Sequence, residues 1–152
     1  MQERRHSLHL ALTLGFLALL SYIAWSDLRA FRIPDHATLP LALCGVVWTL
    51  LTSAPLLLHI LSSFAVAAVL LGLGLGYRRL RKVEGLGLGD VKLAAAGALW
   101  VGTGIALAIA IGAGLALAVA TLRVKSNKAT ASDPIPFGLY LAIGIGAVFL
   151  TS

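Results

Sequence analysis

The chain has 152 residues, of which 59% are hydrophobic and only 12% charged, and its mean hydropathy is +0.95. Soluble domains carry about a quarter charged residues, so this composition argues against an ordinary water-soluble fold and predicts that lipid is the solvent. Because a spanning helix needs about 20 apolar residues, the length allows about six spans and excludes nine. We interpret the net charge of +6 as a signal of membrane topology, and we expect no nucleic-acid partner.

The N-terminal half predicts three helices. The first covers the apolar run 8–26, which is longer than the apolar region of a cleaved signal peptide, about 7–15 residues. The uncharged run 37–76 is too long for one span. Residues 52–55 interrupt it, and Pro55 suits the first turn of a new helix, so we divide the run into the second and third helices. The basic stretch 77–90 is predicted to be the largest loop.

Three further helices are predicted after this loop. No charge occurs between Lys92 and Arg123, and the Gly-Thr-Gly sequence at 102–104 marks the predicted break between the fourth and fifth helices. The fourth helix is then short, which indicates either a start inside a cavity or a misplaced boundary. Residues 123–134 are predicted as a second polar loop. Residues 135–150 form the sixth helix, which is marginal in length for a span.

Basic residues are distributed unequally between the two sides of this arrangement. The side that holds the N-terminus and the loops after the second and fourth helices has only Arg4 and Arg5. The loops after the first, third and fifth helices hold ten basic residues: Arg29, Arg32, Arg78, Arg79, Arg81, Lys82, Lys92, Arg123, Lys125 and Lys128. Because positive residues are retained in the cytoplasm, this asymmetry predicts cytoplasmic odd-numbered loops, with the N-terminus and C-terminus outside.

Two of the six acidic residues fall at predicted helix ends near membrane depth, where a carboxylate is costly and is a functional candidate by default. Asp27 closes the first helix and Asp90 opens the fourth. Since two helices separate them, both lie at the same face, provided that 37–76 is two helices. Two carboxylates held close together share one proton, so one can take a proton from water while the other polarises a peptide carbonyl.

The surroundings of Asp90 are rich in glycine, in the sequence GLGLGDVKL over 85–93. Gly87 and Gly89 permit the close approach of an extended peptide that a protease needs beside its acid. The same Leu-Gly alternation occurs over 71–76 without an acid, where close helix packing explains it equally well. The glycines around Asp90 therefore leave catalysis and a purely structural role open.

Three stretches together resemble the type IV prepilin peptidase family. The sequence GLGDVKL at 87–93 resembles the GxGD motif of that family. The sequence DLRAFRIPD at 27–35 resembles its first catalytic aspartate with the Pro-Asp that follows. The sequence IPFGLYLA at 135–142 resembles the Pro-Phe-Gly segment that leads into its last helix. Three signals in the right order on a six-helix pattern are more specific than any one of them.

The resemblance implies an all-α membrane aspartic endopeptidase, a hydrolase that removes leader peptides from prepilins or pseudopilins at the cytoplasmic face of the cell (inner) membrane. It implies Asp27 and Asp90 as the catalytic pair and Gly87 and Gly89 as motif glycines that bind substrate. Longer members add a methyltransferase domain with paired CxxC motifs. Because Cys44 is the single cysteine, we expect one peptidase domain over 1–152, as in the short form of Flp/Tad pili and archaeal preflagellins.

Other polar residues have less specific interpretations. Asp35 follows Pro34 and is predicted to cap the second helix rather than to catalyse. Lys92 is assigned to substrate binding or to tuning of the acidic pair, with a lysine that snorkels at a helix end as an equal alternative. Glu84 and Asp133 are predicted to be solvated loop charges. The histidines show no metal-binding spacing, and neither a metal nor a cofactor is expected.

Two further function classes stay open at this level. The first is a small transporter or channel subunit in which Asp27 and Asp90 relay protons or bind a cation. The lack of acids deeper in the other helices argues against such a crossing pathway. The second is a non-catalytic assembly protein of a pilus or secretion machine, with glycines that serve packing alone. For the peptidase, the expected partners are a prepilin with an apolar helix and a basic leader, and membrane lipid.

Overall fold

The computed structural model describes residues 2–82, 86–126 and 135–151, and these residues are helical apart from short connections. Their α-helices in chain order are α1 (Gln2–Ala30), α2 (Asp35–Leu51), α3 (Leu56–Arg81), α4 (Leu88–Val101), α5 (Ile105–Lys125) and α6 (Phe137–Thr151). A 3-10 turn, Gly102–Gly104, separates α4 from α5. The predicted breaks at 52–55 and 102–104 are both confirmed, and the described part of the chain is all-helical.

Within the described ranges, three helical segments are long and apolar enough to cross a membrane. They are His6–Ala30, Leu56–Leu80 and Leu88–Lys125, the last of which continues from α4 through the 3-10 turn into α5. Helices α2 and α6 are apolar but shorter. Many large apolar side chains face outward, as expected of a protein that is surrounded by lipid. The six spans and the outward orientation of the termini stay predictions.

Helices continue through stretches that the sequence predicts to be loops. Helix α3 ends at Arg81 and α5 at Lys125, so the basic residues 78–81 and 123–125 lie on helices. A change from apolar to basic residues marks the end of the apolar segment, but arginine and lysine are good helix formers and do not end the helix. Helix α3 is followed by Lys82 in a left-handed conformation, with φ at 56°. In the same way, α1 continues past Asp27 to Ala30.

Helix α4 lies at the centre of the packing, between α2, α3 and α6. The core combines buried residues of α1, α2, α4, α5 and α6, and its largest fully buried apolar side chains are Phe16, Ile23, Leu41, Leu93, Leu141 and Ile145. Close packing needs small residues. A Cβ atom at Gly97 of α4 would lie 2.6 Å from Cδ1 of Ile145 in α6. The interior therefore fixes α4, and with it the position of Asp90.

Hydrogen bonds between helices also hold α4 in place. The Trp100 indole Nε1–H donates to the carbonyl of Leu41 in α2 at 2.8 Å. The Ser63 hydroxyl in α3 donates to the carbonyl of Ala95 at 2.8 Å. Such bonds from polar side chains connect helices that the hydrophobic effect alone does not drive together in lipid. Side-chain hydrogen bonds thus attach both α2 and α3 to α4.

Candidate active site

Asp27 lies near the end of α1 and is only 5% exposed. The backbone N–H of Leu139, in the first turn of α6, donates to its Oδ2 at 3.0 Å. The first N–H groups of a helix have no partner within the helix, and the helix dipole favours a negative charge there. Asp27 therefore supplies from α1 the acceptor that the N-terminus of α6 needs, and α6 holds this carboxyl group in one position.

The approach of α1 to α6 depends on Gly138. A Cβ atom at this position would lie 2.7 Å from Cδ1 of Ile33 and 3.0 Å from Cγ of Asp27. No side chain fits there without a shift of one of these groups. The Pro-Phe-Gly stretch, which the sequence marks only by resemblance, thus has a physical role, because its glycine makes room for the carboxyl group of Asp27.

Asp90 lies in the first turn of α4. Its backbone N–H donates to the carbonyl of Gly87 at 3.1 Å, and Gly87 is the extended N-cap residue of the helix. The Asp90 side chain folds back over Gly87, since a Cβ atom there would lie 3.1 Å from Oδ2 of Asp90. Ile33 lies against the Cβ position of Gly89, next to Asp90, and against that of Gly138, next to the Asp27 carboxyl group, so both acids lie near the same side chain. The fold thus brings together the two acids that the sequence singles out.

The connection between α1 and α2 packs between the starts of α4 and α6. Phe31 adopts a left-handed conformation with φ at 51°, and its N–H donates to the carbonyl of Asp27 at 2.9 Å. This turn directs Ile33 toward both helices: a Cβ atom at Gly89 would lie 3.0 Å from Cβ of Ile33. The sequence analysis did not single out Ile33, and its only signal is an apolar side chain within a polar stretch. Gly89 thus accommodates Ile33, and a side chain at this position would require Ile33 to shift.

A model of the type IV leader peptidase family matches residues 14–122 of the 152. The chain belongs to this family. No curated protein and no solved structure matches the chain significantly. The matched range contains both Asp27 and Asp90 and ends before α6, so Gly138 lies beyond it. The resemblance to this family is therefore confirmed. Membership indicates a peptidase, which is a hydrolase, and the apolar helices indicate a membrane protein.

Lys92 forms a salt bridge with Asp35 in this peptidase family member. The Lys92 ammonium donates to both carboxylate oxygens of Asp35, at 2.7 and 2.9 Å, and the two side chains are 53% and 72% exposed. Pro34 is the N-cap of α2 and makes no side-chain cap bond, so the predicted capping by Asp35 is wrong. Asp35 is instead the first residue of the helix, and a charge-assisted pair with Lys92 takes its oxygens.

Two other acids of the sequence analysis, Glu84 and Asp133, lie outside the described residues. The same holds for Lys128, one of the basic residues used to assign the sides of the membrane. Among the described residues, no three His, Cys, Asp or Glu side chains lie close enough together to hold a metal ion. At the site itself, the carboxyl groups of Asp27 and Asp90 lie near the glycine-flanked start of α4.

We expect a small effect on stability when the surface pair between Lys92 and Asp35 is broken. Lys92→Ala and Asp35→Ala should each lower the free energy of unfolding by less than about 1 kcal/mol, because exposed ion pairs contribute about 0.2–1 kcal/mol. Thermal unfolding of the purified variants in detergent measures this. A loss well above that value in either variant would show that the pair holds α2 against α4.

Proposed function

We propose that this protein is a membrane aspartic endopeptidase that cleaves the leader peptide from type IV prepilins or pseudopilins at the cytoplasmic face of the cell membrane. One arrangement carries the proposal in this chain of the leader peptidase family: Ile33 packs against Gly138, beside the carboxyl group of Asp27, and against Gly89, beside Asp90. Two carboxyl groups at one place are the means by which aspartic proteases activate water.

The reaction needs only the two carboxyl groups and water. One carboxylate takes a proton from water, whose oxygen attacks the scissile carbonyl carbon, while the protonated partner donates to the carbonyl oxygen. The resulting intermediate then loses its C–N bond as a proton is returned to the nitrogen. The products are a new carboxyl terminus on the leader and a new amino terminus on the mature chain. Asp27 and Asp90 exchange their acid and base roles over the cycle.

The residues around Asp90 suit the binding of an extended peptide. Gly87 carries no side chain that would keep a substrate backbone away from the Asp90 carboxyl group, which lies beside it. Ile33 occupies the space beside Gly89, so we include Gly89 as a substrate-binding residue through its backbone. We include Lys92 as a third substrate-binding residue, because it follows Asp90 by two positions on α4 and its side chain is 53% exposed. On binding, it would exchange Asp35 for a backbone carbonyl of the substrate. A role of this kind predicts that Lys92→Ala lowers cleavage more than Asp35→Ala does.

The cytoplasmic placement of the site rests on charge. The basic residues Arg78 and Arg79 lie in the last turn of α3, immediately before the segment that leads to Asp90. Positive residues near the ends of spans favour the cytoplasmic side. The proposed orientation therefore has six spans, both termini outside, and the aspartates at the basic face, where anionic lipid also gathers.

The proposal is tested by co-expression with a prepilin-like substrate in a host without its own leader peptidase. Wild-type protein should remove the leader, as shown by the mature N-terminus in mass spectrometry. Asp90→Ala should leave the leader in place although the variant accumulates in the membrane. Full processing by Asp90→Ala would overturn the proposal, and so would the failure of wild-type protein to process any prepilin tried.

A further inference from the structure

A groove lies on the surface of α4, between α2 and α3. These two helices each pack on α4 but contact each other little. The volume of the groove is about 400 Å³, within the range of ligand pockets, about 300–1,000 Å³. Its lining runs on α2 from Asp35 to Ala42 and on α4 from Lys92 to Leu99. Seven positions along an α-helix correspond to about 10 Å, so the groove is about two helical turns long.

The groove is charged at one end and apolar along the rest of its length. The exposed ion pair of Lys92 and Asp35 lies at one end, which is the mouth of the groove. The hydroxyl groups of the lining already donate to backbone carbonyls: that of Thr38 to a carbonyl one turn earlier in α2 at 3.2 Å, and that of Ser63 to a carbonyl of α4 at 2.8 Å. The other lining side chains are leucine or alanine, namely Leu39, Ala42, Ala95, Ala96 and Leu99.

The ion pair at the mouth has hydrogen-bonding capacity left. A lysine ammonium has three N–H donors, and within the described part of the chain Lys92 uses two of them, on the Asp35 oxygens at 2.7 and 2.9 Å. A carboxylate has about four lone-pair positions, of which this pair occupies two. The two side chains are 53% and 72% exposed, so a ligand at the mouth can reach both the third donor and the remaining acceptor positions.

These features fit a phospholipid whose headgroup carries a phosphate and a primary ammonium. The phosphate accepts from Lys92, the ammonium donates to Asp35, and one acyl chain lies along the leucine and alanine side chains. Because the mouth carries one charge of each sign, an anionic headgroup is attracted by Lys92 but repelled by Asp35. A choline headgroup has no N–H to donate. The mouth therefore differs from the basic face as a whole, which favours anionic lipid.

We propose that this groove binds one phospholipid of the phosphatidylethanolamine type, with the headgroup at Lys92 and Asp35 and an acyl chain along α4. Neither Asp27 nor Asp90 lines the groove, so the inference does not depend on the proposed peptidase function. A lipid that bonds both side chains joins the start of α2 to α4. Because such a lipid binds only the folded protein, it also stabilises the fold.

The test measures the binding of three phospholipids with identical acyl chains to the purified protein in detergent, by native mass spectrometry. Phosphatidylethanolamine should bind at least about five-fold more tightly than phosphatidylcholine or phosphatidylglycerol, which is the effect of one hydrogen bond to a charged group. Equal binding of the three lipids would mean that bulk lipid covers the groove, and it would overturn the site. A preference of the wild-type protein for phosphatidylglycerol would overturn it as well.

Asp35→Asn tests the headgroup contacts. The amide leaves the positive charge of Lys92 without an opposite charge beside it, so this variant should bind phosphatidylglycerol at least as tightly as phosphatidylethanolamine. A reversal of this kind cannot come from general destabilisation, which would weaken the binding of all three lipids. If Asp35→Asn keeps the wild-type preference, the proposal is overturned.

Leu39→Ala tests the path of the acyl chain, with Leu43→Ala as its matched control. The two leucines lie one turn apart on α2 and are 63% and 60% exposed, but Leu39 lines the groove and Leu43 does not. Leu39→Ala should weaken the binding of phosphatidylethanolamine several fold, because the acyl chain loses van der Waals contacts. Leu43→Ala should bind it as wild-type protein does. Equal binding by the two variants overturns the placement of the lipid in this groove.

Discussion

Replacing either Asp27 or Asp90 with asparagine is expected to slow leader cleavage by about 100–10,000-fold, the range that general acid–base catalysis contributes. Asparagine has the shape of aspartate but neither accepts a proton from water nor donates one as an acid. At position 27 its amide oxygen still accepts the N–H of Leu139, so the contact between α1 and α6 is preserved. The loss should therefore fall on the chemical step, measured in single turnovers at saturating prepilin.

The double variant distinguishes a catalytic pair from two independent acids. Groups that act as a unit are strongly non-additive, so Asp27→Asn with Asp90→Asn should be about as slow as either single variant. Asp35→Asn is the matched control, because Asp35 is an exposed acid whose partner is Lys92. It should retain most of the activity. A near wild-type rate in either single variant of the pair contradicts a two-aspartate mechanism.

The sequence alone predicted where two helices are interrupted, because proline and glycine act on the backbone at their own positions. Pro55 is the N-cap residue of α3, and Gly102 ends α4 with φ at 55°, so both breaks are found where these residue types predict them. Helix ends in basic stretches were not predictable in this way. Basic residues mark the end of an apolar segment, but arginine and lysine are good helix formers. Helices α3 and α5 therefore extend beyond their apolar segments.

The geometry of the site depended on contacts that no local pattern encodes. Asp27 and Leu139 are 112 positions apart, and their hydrogen bond exists only once α1 and α6 are packed. The position of Ile33 against Gly89 and Gly138 has the same origin. The pairing of Asp35 with Lys92 joins residues 57 positions apart and replaces the local capping that the sequence favours. Residue types and spacing identified the acids, but packing decided which groups surround them.

Gly138→Ala is expected to lower the rate of cleavage by about 100-fold, because a shift of about 1 Å in a reacting group has effects of this size. The added methyl group would lie 2.7 Å from Cδ1 of Ile33 and 3.0 Å from Cγ of Asp27, so one of these groups has to move. Local propensity works in the opposite direction, since alanine favours a helix over glycine by about 1 kcal/mol. A loss of activity would therefore come from the displaced carboxyl group.

Gly146→Ala is the matched control on the same helix. Its Cβ atom would lie 3.7 Å from Cδ1 of Leu20, an ordinary contact, so activity should remain near that of wild type. Steady-state assays in detergent should show a lower kcat for Gly138→Ala at nearly unchanged KM, because the added methyl group would displace the carboxyl group of Asp27 rather than a group that binds substrate. An unchanged kcat in Gly138→Ala would mean that Ile33 yields to the methyl group and Asp27 stays in place. In that case the N-terminus of α6, through the N–H of Leu139, is sufficient to position the acid.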